Sequence, residues 1–282
     1  MKDITKKLFS YVTYSGPTGT PPPRNLDLIQ SYIDQGAELD KTSPISNREL
    51  LTTFISNTKS KIERLATIQL LVESGAKINF KNKVGFSPLK EAINLLDFRR
   101  TKYLLENGAI IKPERDLQGS KMIEKDRIDF LELLLEYGLD VNSKTSYPST
   151  GGADDEIPIP GNSLLMDTII FDAIKIMKCL LVNGIDIHHS QPYTGTALAK
   201  AVYYNKVQAM LLLLIAGGNP NEIVFPSGTP VLRNAISRGY LEAVQLLLKH
   251  GANIEGAYFS KDLENKNTPR EVAAQIRNLV TR

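Results

Sequence analysis

Apolar residues along this chain gather in short Leu-, Val- and Ile-rich runs, and each run stops one or two residues before a glycine. The phrases are SYIDQGAELD (Gly36), LLVESGAKIN (Gly75), YLLENGAIIK (Gly108), LLLEYGLDVN (Gly138), CLLVNGIDIH (Gly184), LLLIAGGNPN (Gly217) and LLLKHGANIE (Gly251). A helical apolar run ended by Gly predicts a helix stopped by a left-handed residue. Residues 231–255, VLRNAISRGYLEAVQLLLKHGANIE, show the complete pattern. Small Ala235 lies in a first short helix closed by Gly239, and Val244, Leu246, Leu247 and Leu248 make a second helix closed by Gly251. The closing glycines lie 39, 33, 30, 46, 33 and 34 residues apart. Self-similarity at such a period predicts stacked two-helix repeats, none of which can bury its apolar face alone.

The first helices open on a second signal in the same phase. It reads Ser87-Pro88-Leu89-Lys90-Glu91-Ala92, Thr196-Ala197-Leu198-Ala199-Lys200-Ala201 and Thr268-Pro269-Arg270-Glu271-Val272-Ala273. Before Gly251 the pair Thr229-Pro230 lies one residue early, because Leu232 and Ala235 hold the register. Opening and closing together resemble the ankyrin-repeat family, whose unit is about 33 residues with a T-P-L-H-x-A opening. The resemblance spans nearly the whole chain and implies an all-α ankyrin-repeat solenoid of stacked helix pairs joined by hairpin-like fingers, with irregular capping repeats.

In order, the reading is one array over residues 1–282, with about seven repeats and a C-terminal capping helix. Residues 1–44 form an irregular N-terminal cap, in which Ile4, Leu8 and Val12 share a helical face and Asn25 caps a helix over 26–35. The second repeat places helices near 48–55 and 62–73 around a polar spacer. In the third, Ser87 is the N-cap, Pro88 takes the first helical position and Ala92 lets the helices approach. The fourth has no opening motif between 110 and 126, leaving Leu117, Met122 and Ile123 as its first-helix core and making it the expected place to bend or open first. A long finger over 143–161, SKTSYPSTGGADDEIPIPG, separates it from the fifth repeat, which opens with Asn162-Ser163-Leu164-Leu165. A second insertion begins at 256, and residues 256–282 complete the C-terminal cap with a helix over 269–280.

Composition narrows the function classes. The 34 basic and 31 acidic residues nearly balance, so nothing demands nucleic acid. The single Cys179, in an apolar slot, reads as a small buried hydrophobe, and one cysteine forms no intrachain disulfide, which suits the cytoplasm. The first residues, MKDITKKLFSYVTYSG, lack the apolar core of a signal peptide, and the longest apolar run, 210–216, is too short to span a bilayer. The expectation is a cytoplasmic monomer without membrane contact, or one exported by a route without a cleavable signal.

Catalytic constellations are missing: no phosphate-binding Gly loop, no H-E-x-x-H and no paired C-x-x-C occur. His250 stands before Gly251 at a helix C-terminus, where positive charge is favourable. His188 and His189 are adjacent in a turn and would point to opposite sides. Asp154, Asp155 and Glu156 lack the alternating spacing of a calcium loop and read as a solvated run. Arg99, Arg100 and Lys102 read as a solvated helix face. No enzyme and no cofactor is expected; the alternative is a small-ligand or metal-dependent protein using the 143–161 finger with His188 and His189.

The family resemblance implies a protein-binding scaffold in which first helices line a concave face and fingers project beside them. Carried over to this chain, the exposed positions after the motif Ala are Asn94 and Leu95, Ile170 and Phe171, Tyr203 and Tyr204, and Ser237 and Arg238. Phe171, Tyr203 and Tyr204 then place aromatics, which dominate interface energetics, on adjacent first helices. The competing reading packs Tyr204 against the neighbouring finger and has Phe171 fill space left where Thr168 replaces the motif Ala. Val84, Tyr193 and Phe225 are finger-tip candidates, and Asp154, Asp155 and Glu156 supply an acidic edge suited to a protein partner with a basic patch. The resulting expectation is an inhibitor, recruiter or scaffold, such as a bacterial immunity protein or a translocated effector.

Overall fold

The computed structural model describes residues 3–13, 25–42, 50–56, 63–80, 87–117, 120–144, 163–190, 195–224, 228–255 and 269–281. All seven closing glycines take left-handed φ, between 77° and 97°. The chain leaves each helix through the same paired bonds, as where Gly108 N–H reaches Leu105 O (3.0 Å) and Ala109 N–H reaches Leu104 O (2.9 Å). Carbonyls orphaned at the helix end are satisfied in this way. Helix starts are equally local in three first helices: Ser87 Oγ accepts from Lys90 N (3.1 Å), Ser163 Oγ from Met166 N (3.3 Å) and Thr196 Oγ1 from Ala199 N (3.2 Å).

Two compact units are present, Met1–Met122 with Glu132–Leu139, and Ile123–Leu131 with Asp140–Arg282. The first contains α1 (Asp3–Thr13), α2 (Leu26–Asp34), α3 (Leu50–Ser56), α4 (Glu63–Glu73), α5 (Pro88–Asn94), α6 (Phe98–Glu106) and α7 (Pro113–Asp116). Helices α1, α3, α5 and α7 pack in succession, while α2, α4 and α6 each pack on the first helix of their own repeat or on a neighbouring second helix. Leu8, Ile29, Leu50, Phe54, Ile68 and Leu104 are buried at its centre. Asn25 caps α2 as expected, accepting from Asp27 N (2.9 Å) and Leu28 N (3.2 Å).

Arg100 corrects the reading of a solvated basic face. It is 2% exposed, with Nη2 3.0 Å from Asp97 Oδ2 and Nη1 donating to Ile55 O at 3.3 Å. Burial lowers its pKa, and Asp97 works against that shift. Successive helical residues are about 100° apart, so Arg99 and Lys102 stay outside while Arg100 turns inward.

The fourth repeat replaces one first helix by two single turns, α7 and α8 (Lys121–Glu124), before α9 (Ile128–Glu136). Leu117, Met122 and Ile123 are buried as read from the sequence. Helices α8 and α9 are both divided between the two units.

The second unit continues with α10 (Leu164–Phe171), α11 (Ile174–Val182), α12 (Ala197–Tyr203), α13 (Val207–Ile215), β1 (Ile223–Val224), β2 (Thr229–Pro230), α14 (Val231–Ser237), α15 (Leu241–Lys249) and α16 (Arg270–Val280). First helices α10, α12 and α14 pack side by side; α11, α13 and α15 form a second row, and α16 covers α15. Strands β1 and β2 pair antiparallel, Ile223 opposite Pro230 and Val224 opposite Thr229. Thr229 therefore sits in a ribbon and does not cap α14. Cys179 is only half-buried, with Sγ 3.5 Å from Asn183 Nδ2, because its slot on α11 lies at the margin of the inner stripe.

A side-chain ladder stitches repeats together inside each unit. The residue four after a closing glycine accepts from the backbone N–H two residues after the next one. Asp40 accepts from Lys77 N (3.0 Å), Asn79 from Ile110 N (2.8 Å), Asn142 from Asp186 N (2.8 Å) and Asn221 from Asn253 N (2.6 Å). The Asn142 rung closes across the longest interval, so that insertion leaves the register of the stack intact.

Candidate functional site

The C-terminal ends of α10, α12 and α14 lie next to one another because these three first helices pack in sequence. Phe171 ends α10, Tyr203 ends α12, Tyr204 is the C-cap of α12 and Arg238 the C-cap of α14. The three aromatics are 42%, 47% and 47% exposed, and Arg238 is exposed as well. The Arg238 guanidinium carbon stands 4.3 Å from the Tyr203 ring centroid, a cation–π geometry. Tyr204 meets Tyr203 edge to face, with centroids 5.1 Å apart and planes at 84°. Tyr203 is thus held from two sides with its hydrophobic body still open to solvent. Burial works against the Arg238 charge, but the Tyr240 and Tyr203 side chains outweigh it and raise the pKa, so the group stays cationic.

Each competing reading of these aromatics meets a specific observation. Tyr204 is half-exposed and its ring partner is Tyr203. Thr168 is itself buried and donates its hydroxyl to Leu165 O at 2.7 Å, so the motif-Ala position is satisfied by its own side chain. Beside this surface, Asp172, left-handed at φ 58°, pairs with Lys206 Nζ at 3.3 Å.

One turn beneath the aromatics lie buried charges that the sequence reading missed. Asp167 of α10 and Lys200 of α12 are both buried; desolvation lowers the Lys200 pKa, and the Asp167 charge opposes it. Their signal was available, since opposite charges occupy the same motif position in consecutive complete repeats. Glu222 stands just before β1, its carbonyl accepting from Val231 N at 3.0 Å, and burial raises its pKa against the opposing effects of the Thr196 side chain, the Ala199 N–H and His188. Its Oε1 is buried with no hydrogen-bond partner among the described residues.

A family model of ankyrin repeats, in three copies, matches residues 165–258. An ankyrin repeat protein of variola virus (isolate Human/India/Ind3/1967) is 26% identical over 225 residues, which is 79% of this chain and 36% of that protein. The crystal structure of an ankyrin repeat domain from Acinetobacter baumannii AYE superposes with a TM-score of 0.58 at 23% identity, covering 72% of this chain and 98% of that one. That likeness shows the shared fold.

The chain carries ankyrin repeats.

Its fold class is the all-α ankyrin-repeat solenoid, and ankyrin repeats are generally protein–protein interaction modules. Mouse ankyrin repeat and SOCS box protein 2 is also similar, 49% identical over 61 residues, covering 22% of this chain and 9% of that protein. The chain spans about a third of the variola relative, 36% of its length.

Of the other candidate residues in this ankyrin array, Val84, Tyr193, Phe225, Asp154, Asp155 and Glu156 lie outside the described residues, as does the finger beyond Lys144. His188 is exposed in the turn after α11, its backbone N–H donating to Asp186 Oδ1 at 2.9 Å, and His189 is half-buried. Among the described residues no group of three or more His, Cys, Asp and Glu side chains is placed to hold a metal. No helix among them is long and apolar enough to cross a membrane.

Proposed function

We propose that this ankyrin-repeat protein binds a specific protein partner through Phe171, Tyr203, Tyr204 and Arg238, and that it acts by occupying that partner as an inhibitor, recruiter or scaffold. What supports this is the held Tyr203 ring: stacked by Arg238 and edged by Tyr204, it offers an exposed aromatic anchor that loses little side-chain freedom on docking. Arg238, part of whose donors engage Tyr240 and Tyr203, adds a cationic edge to the same surface. The proposed partner carries a basic patch that meets Asp154, Asp155 and Glu156 of the 143–161 finger, with Tyr193 and Phe225 as further contacts. A cytoplasmic inhibitor, an immunity protein or a translocated effector would each use such a stoichiometric surface.

Affinity capture from native lysate tests the reading, comparing wild type with Phe171→Ala/Tyr203→Ala/Tyr204→Ala after circular dichroism confirms that both are folded. One stoichiometric partner held by wild type and weakened at least about tenfold in the variant is the expected result. Equal capture by both proteins would move the binding surface elsewhere.

A further inference from the structure

The second helices of the repeats carry a regular outer face. Six and two residues before the closing glycine, positions one helical turn apart on the side away from the first helices, nearly every repeat places a charged or amide side chain. Lys102 with Glu106 on α6, and Gln245 with Lys249 on α15, are examples. Helices α11 and α13, which pack against each other, break the rule together. Three of their four positions are aliphatic: Val182 on α11, 87% exposed, and Leu211 and Ile215 on α13, 40% and 68% exposed. Single exposed aliphatic residues are ordinary on protein surfaces. Three at equivalent positions of two touching helices make a contiguous patch, and such patches mark contact sites.

Charge on the two helices is one-sided. Helix α11 carries Lys175 and Lys178 and no carboxylate, and α13 carries no charged residue at all. Both lysines are exposed and neither has an ion pair among the described residues. Lys175 stands in the first turn of α11, where the helix dipole disfavours a cation. The nearest capping carboxylate, Asp126, is engaged by the backbone N–H groups of Lys175 (3.1 Å) and Ile176 (2.9 Å). The surface is therefore aliphatic at the C-terminal ends of the two helices and basic towards the N-terminal end of α11.

We infer that the outer face of α11 and α13 is a second docking surface, and that its occupant is an acidic amphipathic helix of another protein. Aliphatic side chains on one half of that helix cover Val182, Leu211 and Ile215, and carboxylates on the other half meet Lys175 and Lys178. The shallow groove between two neighbouring helices is a shape that accepts a third helix with its apolar stripe inward. Charge complementarity selects a protein segment bearing Asp and Glu, because unpaired lysines beside an apolar patch repel a basic partner.

The test uses the full chain and two synthetic fluorescent peptides of about 18 residues, long enough to hold helix in water. Both carry the same Leu stripe; one has Glu and the other Lys on the polar half. Anisotropy titration is expected to show the Glu peptide binding at least about tenfold more tightly than the Lys peptide. Val182→Lys/Ile215→Lys should abolish binding of the Glu peptide, and Lys175→Glu/Lys178→Glu should invert the preference, with circular dichroism unchanged in both because all four side chains are exposed. Phe171→Ala/Tyr203→Ala/Tyr204→Ala should leave peptide binding intact, which separates this surface from the aromatic one. Equal binding of the two peptides, or Glu-peptide binding that survives Val182→Lys/Ile215→Lys, overturns the inference. So does self-association of wild type in sedimentation that Ile215→Lys removes, which would make a second copy the occupant. Binding to vesicles containing phosphatidylserine in preference to the Glu peptide would assign the face to an anionic lipid surface and overturn it equally.

Discussion

The sixth repeat and the fourth reach the same architecture by opposite routes. In the sixth, everything needed is local: Thr196 caps α12, Ala201 sits buried where the helices cross, Asn205 makes the left-handed turn at φ 52°, and Gly217 ends α13. The fourth has no opening motif, and its first helix is broken into α7 and α8. Its carboxylates nevertheless serve both neighbouring repeats. Asp116, fully buried, accepts from Ser87 Oγ of the third repeat (2.8 Å), from Lys112 N (2.8 Å) and from Arg115. Asp126, left-handed at φ 48°, caps α11 of the fifth repeat, whose own N-cap, Ala173, supplies no side-chain bond. A repeat can lose its own start signal and remain necessary, because stability in such a stack resides largely in neighbour interactions.

The largest expected effect is therefore in the repeat with the weaker motif. Asp116→Ala removes a buried carboxylate and strands Arg115 and Ser87, and should cost about 3 kcal/mol in urea unfolding. A loss no greater than that of exposed Glu114→Ala would show that the fourth repeat does not anchor the third. Next comes Asp126→Ala, which leaves two N-terminal amides of α11 uncapped and should cost about 1.5 kcal/mol. Amide exchange should accelerate at Lys175 and Ile176, although both lie far from position 126 in sequence; unchanged protection there would break the cross-repeat cap.

Thr196→Ala serves as the more local counterpart, expected at about 1 kcal/mol, with faster exchange in the first turn of α12 and beside Glu222, which loses its Thr196 hydrogen bond. Spread of that effect into α10 would erase the contrast between local and shared capping. The smallest effect is a change of pH dependence at Glu222. Burial holds its folded pKa above the unfolded value, so its stabilising contribution is present at pH below the unfolded pKa and is lost as pH rises through the folded one. Glu222→Gln should flatten that loss, and midpoints recorded on both sides of the window would be parallel to wild type if Glu222 were not buried in solution.

Two elements show why legibility was uneven. The closing glycines and the Asn25 and Ser87 caps were readable because a left-handed φ and an N-cap oxygen are demands made on single residues within a turn of chain. Arg100 was misread because basic residues adjacent in sequence face different directions on a helix, and only packing against α3 reveals which one turns inward. At the candidate site, the exposed aromatics could be placed from the motif register. The Arg238–Tyr203 stack could not, since it joins residues one repeat apart whose approach depends on how α12 and α14 pack.

The amino-acid order alone determined the ankyrin repeat, its phase, its helix ends and the helix tips on which Phe171, Tyr203 and Tyr204 stand, because each follows from short-range backbone and capping chemistry. Tertiary structure alone decided that Arg100 turns inward, that Asp116 and Asp126 serve neighbouring repeats, and that α11 and α13 meet. Those properties depend on which side chains meet across the stack, and contact between repeats is set by packing over tens of residues.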